Sequence, residues 1–248
     1  MLAIPLYDDN PQRGLPIVTF SLITVCATVF LWQENLGPDA SEDVAYAYGM
    51  IPSVVFGHAA LAPRLALVPP WATIFTSMFL HGGWLHLLGN MLYLWLFGKG
   101  VEIALGSLRF LVFYLVCGVI AALTQGLLNV GASVPMIGAS GAIAGVLGAY
   151  LLLYPRGNIV VLVWIFVLVR LFTVPALVLL GLWFLLQLSD AVAASPNQPG
   201  VAVWAHVGGF VAGMVLVPVF RQHGVRLWQS AHGPSFRATP RRARGPWG

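Results

Sequence analysis

The sequence predicts an all-α membrane protein built as a bundle of six transmembrane helices. Three observations point there. Of its 248 residues 59% are hydrophobic and 8% charged, whereas a soluble domain carries roughly 25% charged residues; this chain has too few polar side chains to cover a folded surface. Several apolar runs approach the ~20 residues that cross a bilayer core. The 12 basic residues fall between those runs and in the C-terminal tail, so the net charge of +4 reads as membrane orientation and not as nucleic-acid binding. Cys26 and Cys117 lie inside apolar runs, where thiols behave as small apolar side chains, and imply neither a disulfide framework nor a zinc site.

Residues 1–14 are short and polar. The apolar run from Leu15 to Trp32 is long for a signal-peptide core and ends in Gln33, Glu34 and Asn35 without a small-x-small cleavage site, so it reads as the first span. Residues 33–72 hold the acidic cluster Glu34, Asp39, Glu42 and Asp43 and then a proline-rich apolar stretch. That stretch is too long for a turn and predicts an ordered loop with short interfacial helices. The second span is placed at Trp84 to Phe97, behind Gly82 and Gly83. Lys99, Glu102 and Arg109 then surround a polar turn, with Glu102 expected to cap the third span, Phe110 to Leu128.

The fourth span opens at Ser140 and is stopped by Pro155, Arg156 and Gly157. Residues 158–189 are too many for one upright helix and too few for two with a loop. The reading is an interfacial or buried piece at 158–169 and a fifth span at 171–189. Residues 191–200 lead to a sixth span, Val201 to Phe220, and the tail 221–248, with six arginines among Gly, Pro and Ser, reads as disordered.

Charge orients this scheme. With the N-terminus inside, the inner segments hold Arg13, Lys99, Arg109, Arg156, Arg170, Arg221, Arg226, Arg237, Arg241, Arg242 and Arg244, leaving only Arg64 of the 12 outside. Glu34, Asp39, Glu42, Asp43 and Asp190 fall outside. The expectation is a cell-membrane, multi-pass protein, in a bacterial inner membrane, with both termini cytoplasmic.

In that orientation the second, fourth and sixth spans share a direction, so His86, Ser140 and His206 lie at one depth near their outer ends. Intramembrane polar groups usually face the bundle interior or a watered cavity. From Gly138 to Tyr154 is 17 residues, about 26 Å of helix against a ~30 Å hydrocarbon core, which sinks Ser140 below the outer surface. A serine needs a base, and neutral histidine is the usual one; His206 is the candidate. The start of a helix offers free N–H groups to an oxyanion. Asn90 follows His86 by one turn, so both point the same way and could donate to that oxyanion.

Other proteolytic chemistries fit less well. A zinc site wants His-Glu-x-x-His, but His81 and His86 are five apart without an adjacent Glu. No Asp lies mid-span for a paired-aspartate site. Ala142 stands where a nucleophile elbow needs glycine. Structural roles compete too: the Gly141/Gly145 and Gly209/Gly213 spacings mark close helix packing, Asn90 could bond a neighbouring helix, and His81 could cap a loop. His58, His223 and His232 read as solvated, and the terminal arginines as contacts for anionic lipid headgroups.

At HGGWLHLLGNMLYLWLFG (81–98), GASGAIAGVLGAY (138–150) and AHVGGFVAGM (205–214) the chain resembles the rhomboid family of intramembrane serine proteases. GMIP in the first loop, and Glu102 with Gly106 in the second, resemble further family features. The resemblance implies a six-transmembrane-helix rhomboid-like bundle, with 15–220 as the protease domain between a short N-terminus (1–14) and a basic tail (221–248). It implies Ser140 as nucleophile and His206 as base in a dyad without a required Asp, and His86, Asn90 and the Ser140 N–H as oxyanion hole, with His81 and Gly138 in supporting roles. No metal or organic cofactor is implied. The partners would be transmembrane protein substrates and membrane lipids, not nucleic acid.

The chain departs from the family at Ala144, where some members carry an aromatic residue on which the base rests; what orients His206 instead is left open. Leu171 to Leu188 has only Gly181 and Ala176 for close packing, so the fifth span is the candidate gate for lateral substrate entry, in line with the family's proposed gate. Trp183, Phe184 and Leu185 are expected to plug its gap against the second span. A non-catalytic relative that binds transmembrane clients is the alternative function. A solute transporter would predict midplane polar groups and internal repeats, and the sequence has neither.

Overall fold

The computed structural model describes residues 2–9, 14–165, 167–194 and 202–229. In chain order its elements are strand β1 (Leu2–Asp8) and helices α1 (Ile17–Asn35), α2 (Pro38–Tyr48), α3 (Pro52–Val55), α4 (Thr73–Thr76), α5 (Trp84–Tyr93), α6 (Lys99–Leu105), α7 (Ser107–Leu128) and α8 (Ser140–Leu153). Strands β2 (Asn158–Ile165) and β3 (Leu168–Pro175) follow, then helices α9 (Ala176–Ala193) and α10 (Val203–Phe220). Among the described residues four helices, α1, α7, α9 and α10, are long and apolar enough to cross a membrane, and α8 is a shorter apolar helix. A sixth apolar segment is composite, since the π-helical turn Leu94–Gly98 joins α5 to α6. The chain is a helical multi-pass membrane protein.

Helix α8 is the centre of the bundle. Its residues Gly141 to Leu151 are all buried, and α7 and α10 pack along it so closely that only glycine fits at several crossings. A Cβ on Gly209 would lie 2.1 Å from the Gly141 carbonyl oxygen, and one on Gly213 1.9 Å from that of Gly145. Without a hydrophobic drive between helices in lipid, this backbone approach supplies the van der Waals contact that holds them.

The second span is longer than the sequence reading placed it. Helix continues through Lys99 and Glu102 to Leu105 and turns at Gly106, whose φ of 82° suits glycine. Both charges are tolerated there because each has partners. Lys99 Nζ lies 3.7 Å from Asp8 and over the Trp95 ring. Glu102 accepts from the Val18 and Thr19 amides at 2.9 and 2.8 Å, from Thr19 Oγ1 at 2.8 Å and from Ser107 Oγ at 2.7 Å. It therefore caps the first span, where orphan N–H groups and the helix dipole favour a carboxylate, and reaches the third span only through Ser107.

A small sheet adds to the helical class. Residues 158–175, read as an interfacial piece and the start of the fifth span, form the antiparallel pair β2–β3, and β1 pairs antiparallel with β2. NIVVLVWI and LVRLFTVP are rich in β-branched and aromatic residues, which suit a pleated sheet. Residues 2–8 supply a third strand, with Pro5 on the sheet's edge where its missing N–H costs least. The fifth span accordingly starts at Ala176, not at residue 171.

The tail also differs from its expected disorder as far as it is described. Gln222 N donates to Ala104 O, while Trp228 N and Gln229 N donate to Leu152 O and Leu153 O, giving the otherwise unpaired carbonyl ends of α6 and α8 their partners. Residues 230–248, with His232, Arg237, Arg241, Arg242 and Arg244, lie outside the described residues, as do Arg13 and the loop residues 195–201.

Candidate active site

Ser140 is the first residue of α8 and His206 lies in the first turn of α10. They are 66 positions apart, yet His206 Nε2 is 2.8 Å from Ser140 Oγ. The loop before Ser140 is pinned by the Met50–Met136 bridge and by the Gly138 amide donating to Ser77 O at 2.8 Å, and Gly138 turns the chain with φ 123°. The opening of α10 is held where the Ala205 amide donates to Gln125 Oε1 of α7. One turn further, the Gly209–Gly141 crossing keeps the two backbones in contact, which sets the reach between serine and histidine.

His86 and Asn90 face the same loop from α5. The Gly82 amide donates to His86 Nδ1 at 3.3 Å, which places the proton of the neutral ring on Nε2. A Cβ on Gly138 would lie 2.6 Å from that Nε2 and 3.7 Å from Asn90 Nδ2. Asn90 Nδ2 is buried without a hydrogen-bond partner among the described residues, an arrangement costly enough to call for a function. Two N–H donors thus converge beside the chain leading into Ser140, in space that the missing Gly138 side chain leaves open.

Helix α5 is fixed from α1. The His81 amide donates to Gln33 Oε1 at 3.1 Å and Gln33 Nε2 returns a bond to His81 O at 3.4 Å, while Trp84 Nε1 donates to Glu34. His81 is buried, and its ring stands edge-on to that of His86 with centroids 5.2 Å apart. Burial, and after it the neighbouring His86, pushes its imidazole down to about 4, so it packs as a neutral ring. His58 and His223 are exposed and far in sequence from these elements.

A cavity of about 670 Å³ joins these groups, with Leu85, His86 and Asn90 on one wall, Ser140 and His206 on another and Trp183 on a third. One residue at this site escaped the sequence reading, Gln187, and another, Trp183, was read only as part of a gate. Gln187 Oε1 of α9 lies 2.5 Å from His206 Nδ1, and the Trp183 ring is 5.9 Å from that of His206. The available signal was an amide alone in a run of leucines, since polar groups within spans mark functional interiors. The expected plug is otherwise arranged. Trp183 and Phe184 pack on Phe210 of α10 at 5.9 and 4.6 Å, and Leu185 is exposed.

Comparisons with known proteins give the family. The family model described as Rhomboid domain matches residues 69–223, which include every residue of the cavity wall named above. Rhomboid protease GluP of Bacillus subtilis is 34% identical over 140 residues, 56% of this chain and 25% of that protein. RHOMBOID-like protein 1 of Arabidopsis thaliana is 34% identical over 148 residues, covering 59% of this chain and 34% of its own length. The mitochondrial Rhomboid protein 1 of Saccharomyces cerevisiae is 32% identical over 154 residues, or 58% and 40%. The chain therefore spans between a quarter and two fifths of the length of these relatives. With the family model covering more than half of its residues, and a helical bundle that brings the three matching motifs to one cavity, the chain belongs to the rhomboid family.

Proposed function

We propose that this protein is an intramembrane serine endopeptidase that hydrolyses peptide bonds in or near the transmembrane segments of other membrane proteins. The observation that carries the reading is the 2.8 Å contact between Ser140 Oγ and His206 Nε2, set beside two donors aimed at one point. His206 Nε2 accepts the Ser140 proton as Oγ attacks the scissile carbonyl carbon. The carbonyl oxygen, now an oxyanion, takes hydrogen bonds from His86 Nε2–H, Asn90 Nδ2 and the free N–H groups at the start of α8. The imidazolium then gives its proton to the leaving amine, and a water activated by the same nitrogen hydrolyses the acyl-enzyme.

Depth supports a substrate from within the membrane. Helix α8 has 14 residues, about 21 Å at 1.5 Å each, so it cannot span a ~30 Å core, and with its other end at one face Ser140 stays below the opposite one. The cavity is bounded by α5 on one side and α9 on the other. Only 17% of the α9 span is buried, against 44% for α10, which favours entry of substrate between α5 and α9.

A fluorophosphonate probe, which loses fluoride as Ser Oγ bonds to phosphorus, is expected to label the detergent-solubilised protein at Ser140. His86→Ala and Asn90→Ala are each expected to slow labelling and substrate cleavage by roughly 10²–10³, the usual cost of one oxyanion donor. Absence of any label would favour a non-catalytic client-binding protein, and an Asn90→Ala variant cleaving at full rate would make Asn90 a packing residue.

The N-terminus and tail are proposed to lie in the cytoplasm of a bacterial cell, with the catalytic end of the bundle facing outward. The native thiols of Cys26 and Cys117 are buried, so single introduced cysteines report cleanly. A cysteine replacing Ser41 reacts with an impermeant thiol reagent in intact cells, and one replacing His223 does not. The opposite pattern would invert the topology.

A further inference from the structure

We infer that Gln187 is a positioning residue for the base, completing a Ser140–His206–Gln187 line in which the peripheral helix α9 sets the tautomer and direction of His206. The inference rests on the proposed Ser140–His206 chemistry. Its starting point is Ala144, one turn after Ser140, which is fully buried and too small to support the imidazole. Two side chains from another helix stand in its place. Trp183 and Gln187 are four residues apart on α9 and so share one face. Trp183 lays its ring 5.9 Å from that of His206 with an interplanar angle of 37°, and Gln187 Oε1 lies 2.5 Å from His206 Nδ1.

Chemistry selects the direction of that bond. An amide oxygen only accepts, so the Nδ1 proton must be present, and in a neutral ring Nε2 is then the bare acceptor that Ser140 needs. Were the amide turned to offer its NH₂, the proton would sit on Nε2 and the ring could not act as base. Gln187 Oε1 keeps the same bond when His206 becomes imidazolium, so the ring does not swing as the proton moves. Among the described residues no carboxylate near His206 could take this role: Ser140 faces it from α8, Gln125 and Thr124 of α7 are neutral and engage Ala205 N and Ile120 O, and His86 is the other ionisable group near it. Asp190, three residues after Gln187, is exposed.

The placement has a consequence for admission of substrate. α9 is the least buried of the four long spans, and the same helix carries the base's acceptor. Any outward movement of α9 would part Gln187 from His206 and slow the proton transfer.

The test is steady-state kinetics on purified full-length protein in detergent, using a short soluble fluorogenic peptide that needs no lateral entry. Gln187→Leu is expected to lower kcat about 10–100-fold with KM unchanged, because ring orientation and tautomer act on the proton transfer and not on peptide binding. Gln187→Glu is expected to restore much of that rate and to move the acidic limb of the kcat–pH profile to higher pH, since a carboxylate beside Nδ1 favours the protonated, inactive ring at low pH. A Gln187→Leu variant with unchanged kcat, or a Gln187→Glu variant with an unmoved acidic limb, would reduce Gln187 to packing. Should Gln187→Leu fail to fold, the Gln187→Glu profile decides alone. Retained peptide hydrolysis in His206→Ala would instead overturn the dyad itself, and is distinguishable because it does not involve residue 187.

Discussion

Ser140→Ala is expected to abolish cleavage of a transmembrane substrate, by ~10⁴-fold or more as for nucleophile removal in other serine hydrolases, while leaving thermal unfolding unchanged. The two halves of this expectation have separate causes. Chemically, no other hydroxyl stands in hydrogen-bond contact with His206 Nε2 among the described residues, so no nearby side chain substitutes for the lost oxygen. Structurally, Ser140 is only partly buried and its recorded side-chain bond is the one to His206. The substitution leaves Gly141 and Gly145 at their crossings. A gel assay with a tagged transmembrane substrate reads the first half and a differential scanning measurement the second. Cleavage at the wild-type rate would remove Ser140 from the chemistry.

Gly213→Ala is expected to have the largest effect on stability, about 3 kcal/mol or more. The added methyl would stand 1.9 Å from the carbonyl oxygen of Gly145 and 2.6 Å from its carbon. Backbone at that point cannot retreat, because a Cβ on Gly145 would itself lie 2.5 Å from Cys117 Cβ on α7. The helices α8 and α10 would have to part, and the separation would carry His206 away from Ser140. Gly181→Ala is the matched control, since a Cβ there meets nothing within 4 Å. Unfolding midpoints in a detergent titration compare the two. Equal midpoints for Gly213→Ala and the unchanged protein would mean that the α8–α10 contact is looser than its geometry implies.

Gly213 also illustrates how much was legible beforehand. The Gly209/Gly213 and Gly141/Gly145 spacings announced close packing because a small residue every four places makes a flat stripe on one helix face. Their partners were not legible, since any small stripe can face any other. The same holds for Glu102. A carboxylate near a helix end signals a cap, but its bonds to Val18 and Thr19 cross 84 and 83 positions, and the nearer Ser107 was the only partner that sequence adjacency could suggest. The sheet was missed for another reason. A hydropathy reading of residues 158–175 measures apolar length, which helix and strand share, and the β-branched content that separates them was outweighed. Strand β1 could not be anticipated from seven residues whose pairing partner lies more than 150 positions away.

What the sequence determined by itself were the membrane class, the approximate spans, and the polar trio of Ser140, His206 and His86 with Asn90. These are properties of composition and local spacing: apolar length decides whether a segment prefers lipid, and a helix turn decides that residues four apart share a face. What only the tertiary structure decided were the contacts that bring the trio to one cavity. The Ser140–His206 distance depends on how deeply α10 settles against α8. The His86 tautomer depends on Gly82, and the His206 ring meets Gln187 from a helix that the sequence marked only as a gate. Hydrogen bonds act over about 3 Å, so they are made or lost by the final few ångströms of helix packing, and no periodicity along a chain records those.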